Sequence, residues 1–157
     1  MSIEVEREEL GYVTIRQHGS GDYEALKRFY VVNLPTNPFR SFITEDAIFK
    51  QRAIIFIAEN DGEKVGSLFY TPGEDHAYLH SLVVKKECRG QGIAAEMLKA
   101  AQEQAEADGF AEITIEARND DLIRYYESLG FRCNPNIEKG LVKDIISPPP
   151  PISSPRI

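Results

Sequence analysis

Two cysteines, Cys88 and Cys133, and three histidines are all that this 157-residue chain offers to disulfide or transition-metal chemistry. Two thiols in a chain long enough to bury a full core give no disulfide framework, which fits a reducing cytoplasm. Their spacing from the histidines matches no metal-ligand pattern, so no metal is expected. No apolar run approaches the roughly 20 residues that a membrane-crossing helix requires, and no membrane partner is expected either. The stretch Met1 to Glu9 is acidic and lacks the basic start and apolar run of a secretory signal, which speaks against export. Bases are in deficit as well, with 18 lysines and arginines against 25 acids and a formal charge of −7. That balance repels nucleic acid on average and makes a cationic or amine partner electrostatically easier.

What is present reads as one domain, residues 1–146, followed by a Pro-rich tail, 147–157, where Ser147-Pro148-Pro149-Pro150-Pro151 suits extended polyproline. Alternation predicts a first strand at Tyr12–Arg16. Leu26, Phe29, Tyr30 and Leu34 recur at helical spacing from Asp22 and stop near Pro35, and Thr44 caps a second helix to Arg52. Ile54–Ala58 and Val65–Tyr70 form a hairpin around Asp61-Gly62, and Ala77–Val84 is the fourth strand. A long helix carries Ile93, Met97, Ala101 and Ala105 and closes at Gly109. Ile113 and Ile115 mark a fifth strand. Asn119 caps a helix through Leu122, Ile123, Tyr126 and Leu129 that Gly130 ends, and Phe131–Ile137 pairs with Leu141–Ile146.

The informative segment is Leu82-Val83-Val84-Lys85-Lys86-Glu87-Cys88-Arg89-Gly90-Gln91-Gly92-Ile93-Ala94. Glycines at alternate positions leading into a helix let successive backbone N–H groups converge on an anion, and the helix dipole adds to the attraction. Gly90, Gly92 and Ala95 also satisfy the G-x-G-x-x-A form of a dinucleotide fingerprint, with Glu116 at the end of a later strand. Five residues, Lys85 to Arg89, nevertheless separate Val84 from Gly90, and about forty residues after Glu116 are too few for the rest of that fold. No lysine follows the glycines in the P-loop position.

Arg89, Gly92 and Ala94 fit the pattern R/Q-x-x-G-x-G/A, and Asn119, Ile123, Tyr125, Tyr126, Glu127, Leu129, Gly130 and Phe131 fit N-x-x-x-I-x-x-Y-E-x-x-G-F. With both motifs in this order the chain resembles the GCN5-related N-acetyltransferase (GNAT) superfamily. The resemblance implies an α+β fold in α/β/α layers, with a mostly antiparallel sheet splayed between its fourth and fifth strands. It implies acetyl-CoA as cosubstrate, held by Leu82, Val83 and Val84 along its pantetheine arm and by Arg89, Gly90, Gln91, Gly92, Ile93 and Ala94 at its pyrophosphate. Asn119 and Tyr126 join that cofactor set, and Lys85 and Lys86 are candidates to meet the adenosine phosphates.

Acetyl transfer to a primary amine, whether protein N-terminus, lysine or small amine, needs a neutral amine, an oxyanion donor and a proton or hydrogen bond for the leaving thiolate. By resemblance a backbone N–H near Val83 is the donor and the Tyr126 hydroxyl meets the sulfur. Packing on the apolar face of its helix is the alternative role of Tyr126, and capping that of Asn119. Three alternatives stand for the base: Glu116, in Glu116-Ala117-Arg118, which is similar to the E-V-R glutamate of ribosomal-protein N-terminal acetyltransferases; His80, which titrates near neutrality and serves directly or through a water; and a water chain or no dedicated base. Cys88 has no recognisable partner to make it a nucleophile. The enzyme is expected as a monomer or homodimer. The reading from another class is a module of the same fold that binds acetyl-CoA without catalysis, as a sensor or interaction partner.

Overall fold

An apolar run such as Ile54-Ile55-Phe56-Ile57-Ala58 is buried on both sides only in the middle of a sheet. That is its place in the computed structural model of the protein, which describes residues 3–7, 11–19, 21–33, 52–135 and 137–145. Ile55 and Ile57 belong to a core with Leu26, Phe29 and Tyr30, whereas Phe56 and Ala58 belong to a second core with Met97 and Ala101. The sheet therefore separates two helical layers.

The chain runs β1 (Ile3–Arg7), β2 (Gly11–Gln17), α1 (Tyr23–Asn33), β3 (Ile54–Asn60), β4 (Glu63–Pro72), β5 (Ala77–Val84), a 3₁₀ turn (Lys86–Cys88), α2 (Ile93–Ala107), β6 (Glu112–Glu116), α3 (Asp120–Ser128), β7 (Arg132–Cys133) and β8 (Gly140–Asp144). Among the described residues the strands form one sheet ordered β1-β2-β3-β4-β5-β6-β8-β7. Each neighbouring pair is antiparallel except β5–β6, which is parallel. The β3–β4 hairpin turns at Asp61-Gly62 with both residues at positive φ, the type I′ geometry that follows strand twist. No helix among the described residues is long and apolar enough to cross a membrane.

Strand β1 lies ahead of the first strand expected from the sequence and pairs with β2 from Ile3↔Ile15 to Arg7↔Gly11. Ile3 and Val5 alternate with Glu4 and Glu6, a period of two that the density of acids obscured. The last hairpin is shorter than expected. Pro135 has no N–H to give a ladder, and a bond from Asn134 N–H to the Gly140 carbonyl (2.8 Å) closes the pairing. The expected helix from Thr44 lies outside the described residues up to Gln51, as do Ile146 and the Pro-rich tail.

One irregularity positions everything that follows. Phe69 of β4 pairs with His80 and Ser67 pairs with Val83, so Ser81 and Leu82 together oppose Leu68. This is a β-bulge, and Ser81 takes the left-handed conformation at φ 56°. The Tyr30 hydroxyl, fully buried under α1, donates to the Ser81 carbonyl at 2.6 Å. Pairing between β5 and β6 covers only Ala77↔Ile113 to Leu79↔Ile115. Beyond Leu79 the two strands part, and among the described residues β5 from Ser81 to Val84 presents an edge with no strand partner opposite β4.

Candidate active site

A free strand edge exposes backbone N–H and C=O groups that extended ligands can pair with. Here Leu82, Val83 and Val84 form one wall of a cleft of about 520 Å³. Its floor is the loop into α2, where Arg89, Gly90, Gly92, Ile93 and Ala94 all contribute. Gly90 and Gly92 have φ of 80° and 79°, the alternating left-handed turns that aim successive N–H groups to one side. Gly92 is the N-cap of α2 and has no side chain to bond the first-turn amides, and a Cβ at Gly90 would meet nothing within 4 Å. The loop at Gly90 and the start of a 15-residue helix thus line the cleft under a favourable dipole, which fits a pyrophosphate.

Arg118 and Asn119 line the opposite wall with Leu122 and Tyr125. Asn119 accepts from the Leu122 N–H at 2.9 Å, so its capping role is in place. Arg89 Nε donates to the Val84 carbonyl at 2.9 Å, and Arg118 Nη1 to the Leu82 carbonyl at 3.4 Å. Among the described residues neither arginine has a carboxylate partner, in contrast to Arg16 with Asp22 and Glu59. Asp121 also lines the cleft but is paired with Arg124, so the two guanidinium groups make the cleft attractive to anions within an acidic protein. Gln91 and Tyr126, expected in the cofactor set, do not line the cleft. Neither do Lys85 and Lys86, and the Lys85 ammonium is paired with Glu63 and lies 3.6 Å from Glu87.

A second cavity, about 360 Å³, opens beside the paired part of β5 and β6 and contains both candidate bases, His80 and Glu116. Thr71, Tyr78 and Thr114 surround them over an apolar floor of Leu79, Ile115, Ile137 and Leu141. On β5 the second cavity ends at His80 and the cleft begins at Leu82; after β6 the corresponding residues are Glu116 and Arg118. Only Ser81 and Ala117 stand between the two spaces along these segments. His80 Nδ1 lies 3.2 Å from Ser81 Oγ and Nε2 3.4 Å from Thr71 Oγ1, hydroxyls that can donate or accept and so suit either tautomer. His80 reaches solvent, yet its ring packs against Phe69, with centroids 5.0 Å apart, and the partial desolvation lowers its pKa below the ordinary 6.5. Glu116 is exposed on the other prong.

The adjacent tyrosines of α3 divide. Tyr126 is buried, 2% exposed, packed between the rings of Tyr125 and Phe131, and burial pushes its phenol up to about 12. Tyr125 lines the cleft, and its hydroxyl is hydrogen-bonded to the backbone of Ala95 in the first turn of α2. Cys88 is buried at the edge of the cleft, and desolvation raises its thiol, so no thiolate is prepared there. Sequence reasoning did not single out Arg118 or Tyr125. Each stands inside a recognised motif, but nothing local says which motif residues face the cleft.

A family model described as "Acetyltransferase (GNAT) family" matches residues 22–131. An acetyltransferase of Agrobacterium fabrum is 35% identical over 77 residues, which cover 49% of this chain and 56% of that one. The chain spans about half the length of the curated relatives it matches. Among solved structures, the GNAT domain of PAT from S. lividans superposes with a TM-score of 0.73 at 18% identity, covering 91% of this chain and 96% of that one. A GNAT family acetyltransferase from Elizabethkingia anophelis, solved with acetyl-CoA bound, gives 0.62 at 16% identity over 87% of this chain and 99% of its own. At such identities the superpositions establish the shared fold.

Proposed function

The chain belongs to the acetyltransferase (GNAT) family, and on that premise we propose that it moves an acetyl group from acetyl-CoA directly to a primary amine in a ternary complex. The observation that carries this reading is the fork. A cleft that suits an anion and a cavity holding two candidate bases lie to either side of the point where β5 leaves β6, their lining residues separated along the two segments by Ser81 and Ala117. A reaction joining one ligand from each side is what that arrangement suits.

Acetyl-CoA would supply an acyl thioester and a sulfur leaving group. The first-turn amides of α2 with Gly90, Gly92 and Arg89 would hold its pyrophosphate, and the Leu82–Val84 edge would pair with the pantetheine amides. The oxyanion donor would be a backbone N–H next to Val83, from Leu82 or Val84: their carbonyls meet Arg118 and Arg89 on the cleft side, whereas Lys85 N–H bonds Val65 of β4 and the alternation turns Val83 toward β4 as well. His80 and Glu116 compete to take the proton of the incoming amine. The lowered pKa of His80 favours its neutral form, which has a lone pair available. Tyr126 is proposed to face the sulfur. A phenol at about 12 does not readily give its proton to a thiolate of ordinary pKa near 8.5, so its contribution is a hydrogen bond rather than full transfer.

The test is steady-state release of free CoA from acetyl-CoA across a panel of α-amines, lysine peptides and small amines. Amine-dependent release supports the proposal and names the acceptor class. Tight acetyl-CoA binding without release for any amine would leave the non-catalytic module as the better reading.

A further inference from the structure

Resting on the reading of the cleft as an acyl-CoA site, we propose that Arg118 is a positioning residue for the transfer: it reaches from the β6–α3 turn to the Leu82 carbonyl on β5, bridges the fork, and places a positive charge in the cleft. The bridge is a specific geometric fact. Backbone pairing of β5 with β6 stops at Leu79↔Ile115, and three residues further along β5 the Arg118 guanidinium donates a long hydrogen bond, 3.4 Å, to the Leu82 carbonyl. A side chain thereby ties the two prongs together where the backbone no longer does. Because Leu82 opens the edge that lines the cleft, whatever fixes the Leu82 carbonyl also fixes how far that edge stands from α3.

Its freedom from acids gives the charge its reach. Arg124 is paired with Asp121 and Arg132 with Asp144, but among the described residues no carboxylate lies against Arg118. The guanidinium lines the cleft, and its charge favours the ionised form of two phenols, Tyr126 on α3 and Tyr30 on α1. The other titratable group acting on Tyr126 is Tyr125, which opposes ionisation. Phe131, packed on the Tyr126 ring, is uncharged, and Lys143 of β8 lies 5.8 Å from the Phe131 ring centre. Arg118 is thus the charge that partly offsets the effect of burial on the Tyr126 phenol. A lysine there keeps the charge but not the planar, multiply donating fork that spans to Leu82.

The experiment compares Arg118→Gln, Arg118→Lys and the parent chain, each checked for fold by circular dichroism. The first readout needs no cofactor. With 3,5-difluorotyrosine incorporated, so that phenols ionise while the fold survives, ¹⁹F NMR follows the Tyr126 titration. The signal is assigned with Tyr126→Phe. Tyr126 should titrate at higher pH in Arg118→Gln and return toward the parent in Arg118→Lys. The second readout is kinetic. Arg118→Gln should lower kcat about tenfold with KM for acetyl-CoA changed less than about threefold, and lysine should recover part of kcat. An unmoved Tyr126 titration in a folded Arg118→Gln protein, or kcat within about twofold of the parent, overturns the proposal. A parent without acetyl transfer overturns the reading of the cleft instead, and the NMR titration still decides whether Arg118 acts on Tyr126.

Discussion

The Tyr30 hydroxyl lies 2.6 Å from the Ser81 carbonyl oxygen, so a helix on one face of the sheet holds a residue 51 positions away in the left-handed turn that splits β5 from β6. Burial raises the Tyr30 phenol well above its ordinary range, and the hydroxyl stays a donor at any working pH. Tyr30→Phe leaves the Ser81 carbonyl without this donor. We expect a loss of about 1–3 kcal/mol in unfolding free energy, read as a lower urea midpoint at unchanged slope. Acetyl transfer should fall as well, because the bulge sets the edge beyond it. An unchanged midpoint would mean that the bulge is held by other contacts.

Gly92→Glu should abolish acetyl-CoA binding while the domain stays folded. The substitution places a side chain at φ 79° and a negative charge against the first-turn amides of α2. Strain of order 1 kcal/mol is tolerable to the fold, whereas charge repulsion acts directly on a pyrophosphate. Calorimetry is the check, and undiminished affinity in the folded variant would mean that the loop has another role.

Tyr126→Phe and Tyr125→Phe should differ in kind. If the buried hydroxyl meets the sulfur, Tyr126→Phe lowers kcat by roughly 10–100-fold, the worth of a hydrogen bond to a charged group, with little change in melting temperature. Tyr125, which lines the cleft and bonds the Ala95 backbone, should affect KM for acetyl-CoA more than kcat when changed to Phe. Exchange of the two patterns would make Tyr125 the group at the sulfur and Tyr126 a core residue.

The lowered pKa of His80 fixes the sign of its pH dependence. Well above pH 6.5 the imidazole is neutral in folded and unfolded chains alike. As pH falls from there through the folded value, the unfolded chain takes up the proton first, and the fold loses stability. The base is lost over the same window. A plot of kcat/KM against pH should therefore be flat above about pH 6.5 and fall below it, and His80→Gln should remove that acid limb. If the limb survives in His80→Gln and disappears in Glu116→Gln, Glu116 is the base.

Much of the architecture was legible because its signals are local. Ile54–Ala58 and the Asp61-Gly62 turn gave the central hairpin, Gly109 and Gly130 gave the ends of α2 and α3, and in the structure each of these elements lies where the residue pattern puts it. The shortened last hairpin followed from Pro135, a signal available in the sequence but outweighed by the apolar residues around it. Strand β1 was hidden by composition, since a strand of alternating glutamates reads as a solvated terminus until a partner strand gives it a ladder.

By itself the sequence determined the glycine loop leading into α2, because left-handed turns, a helix start and its dipole depend only on neighbouring residues. Only the tertiary structure decided what surrounds that loop. His80 and Glu116, 36 residues apart, share a cavity because a parallel register puts each one step beyond the last pair, Leu79↔Ile115. Arg118 reaches Leu82 because the bulge at Ser81 turns β5 away at that point. Tyr125 and Tyr126 are separated by about 100° around α3, so which ring lines the cleft and which is buried depends on the rotation of the helix against the sheet. That rotation is set by packing against Phe131 and the core. Register, bulge and helix rotation are fixed by contacts between distant parts of the chain, and no local pattern encodes them.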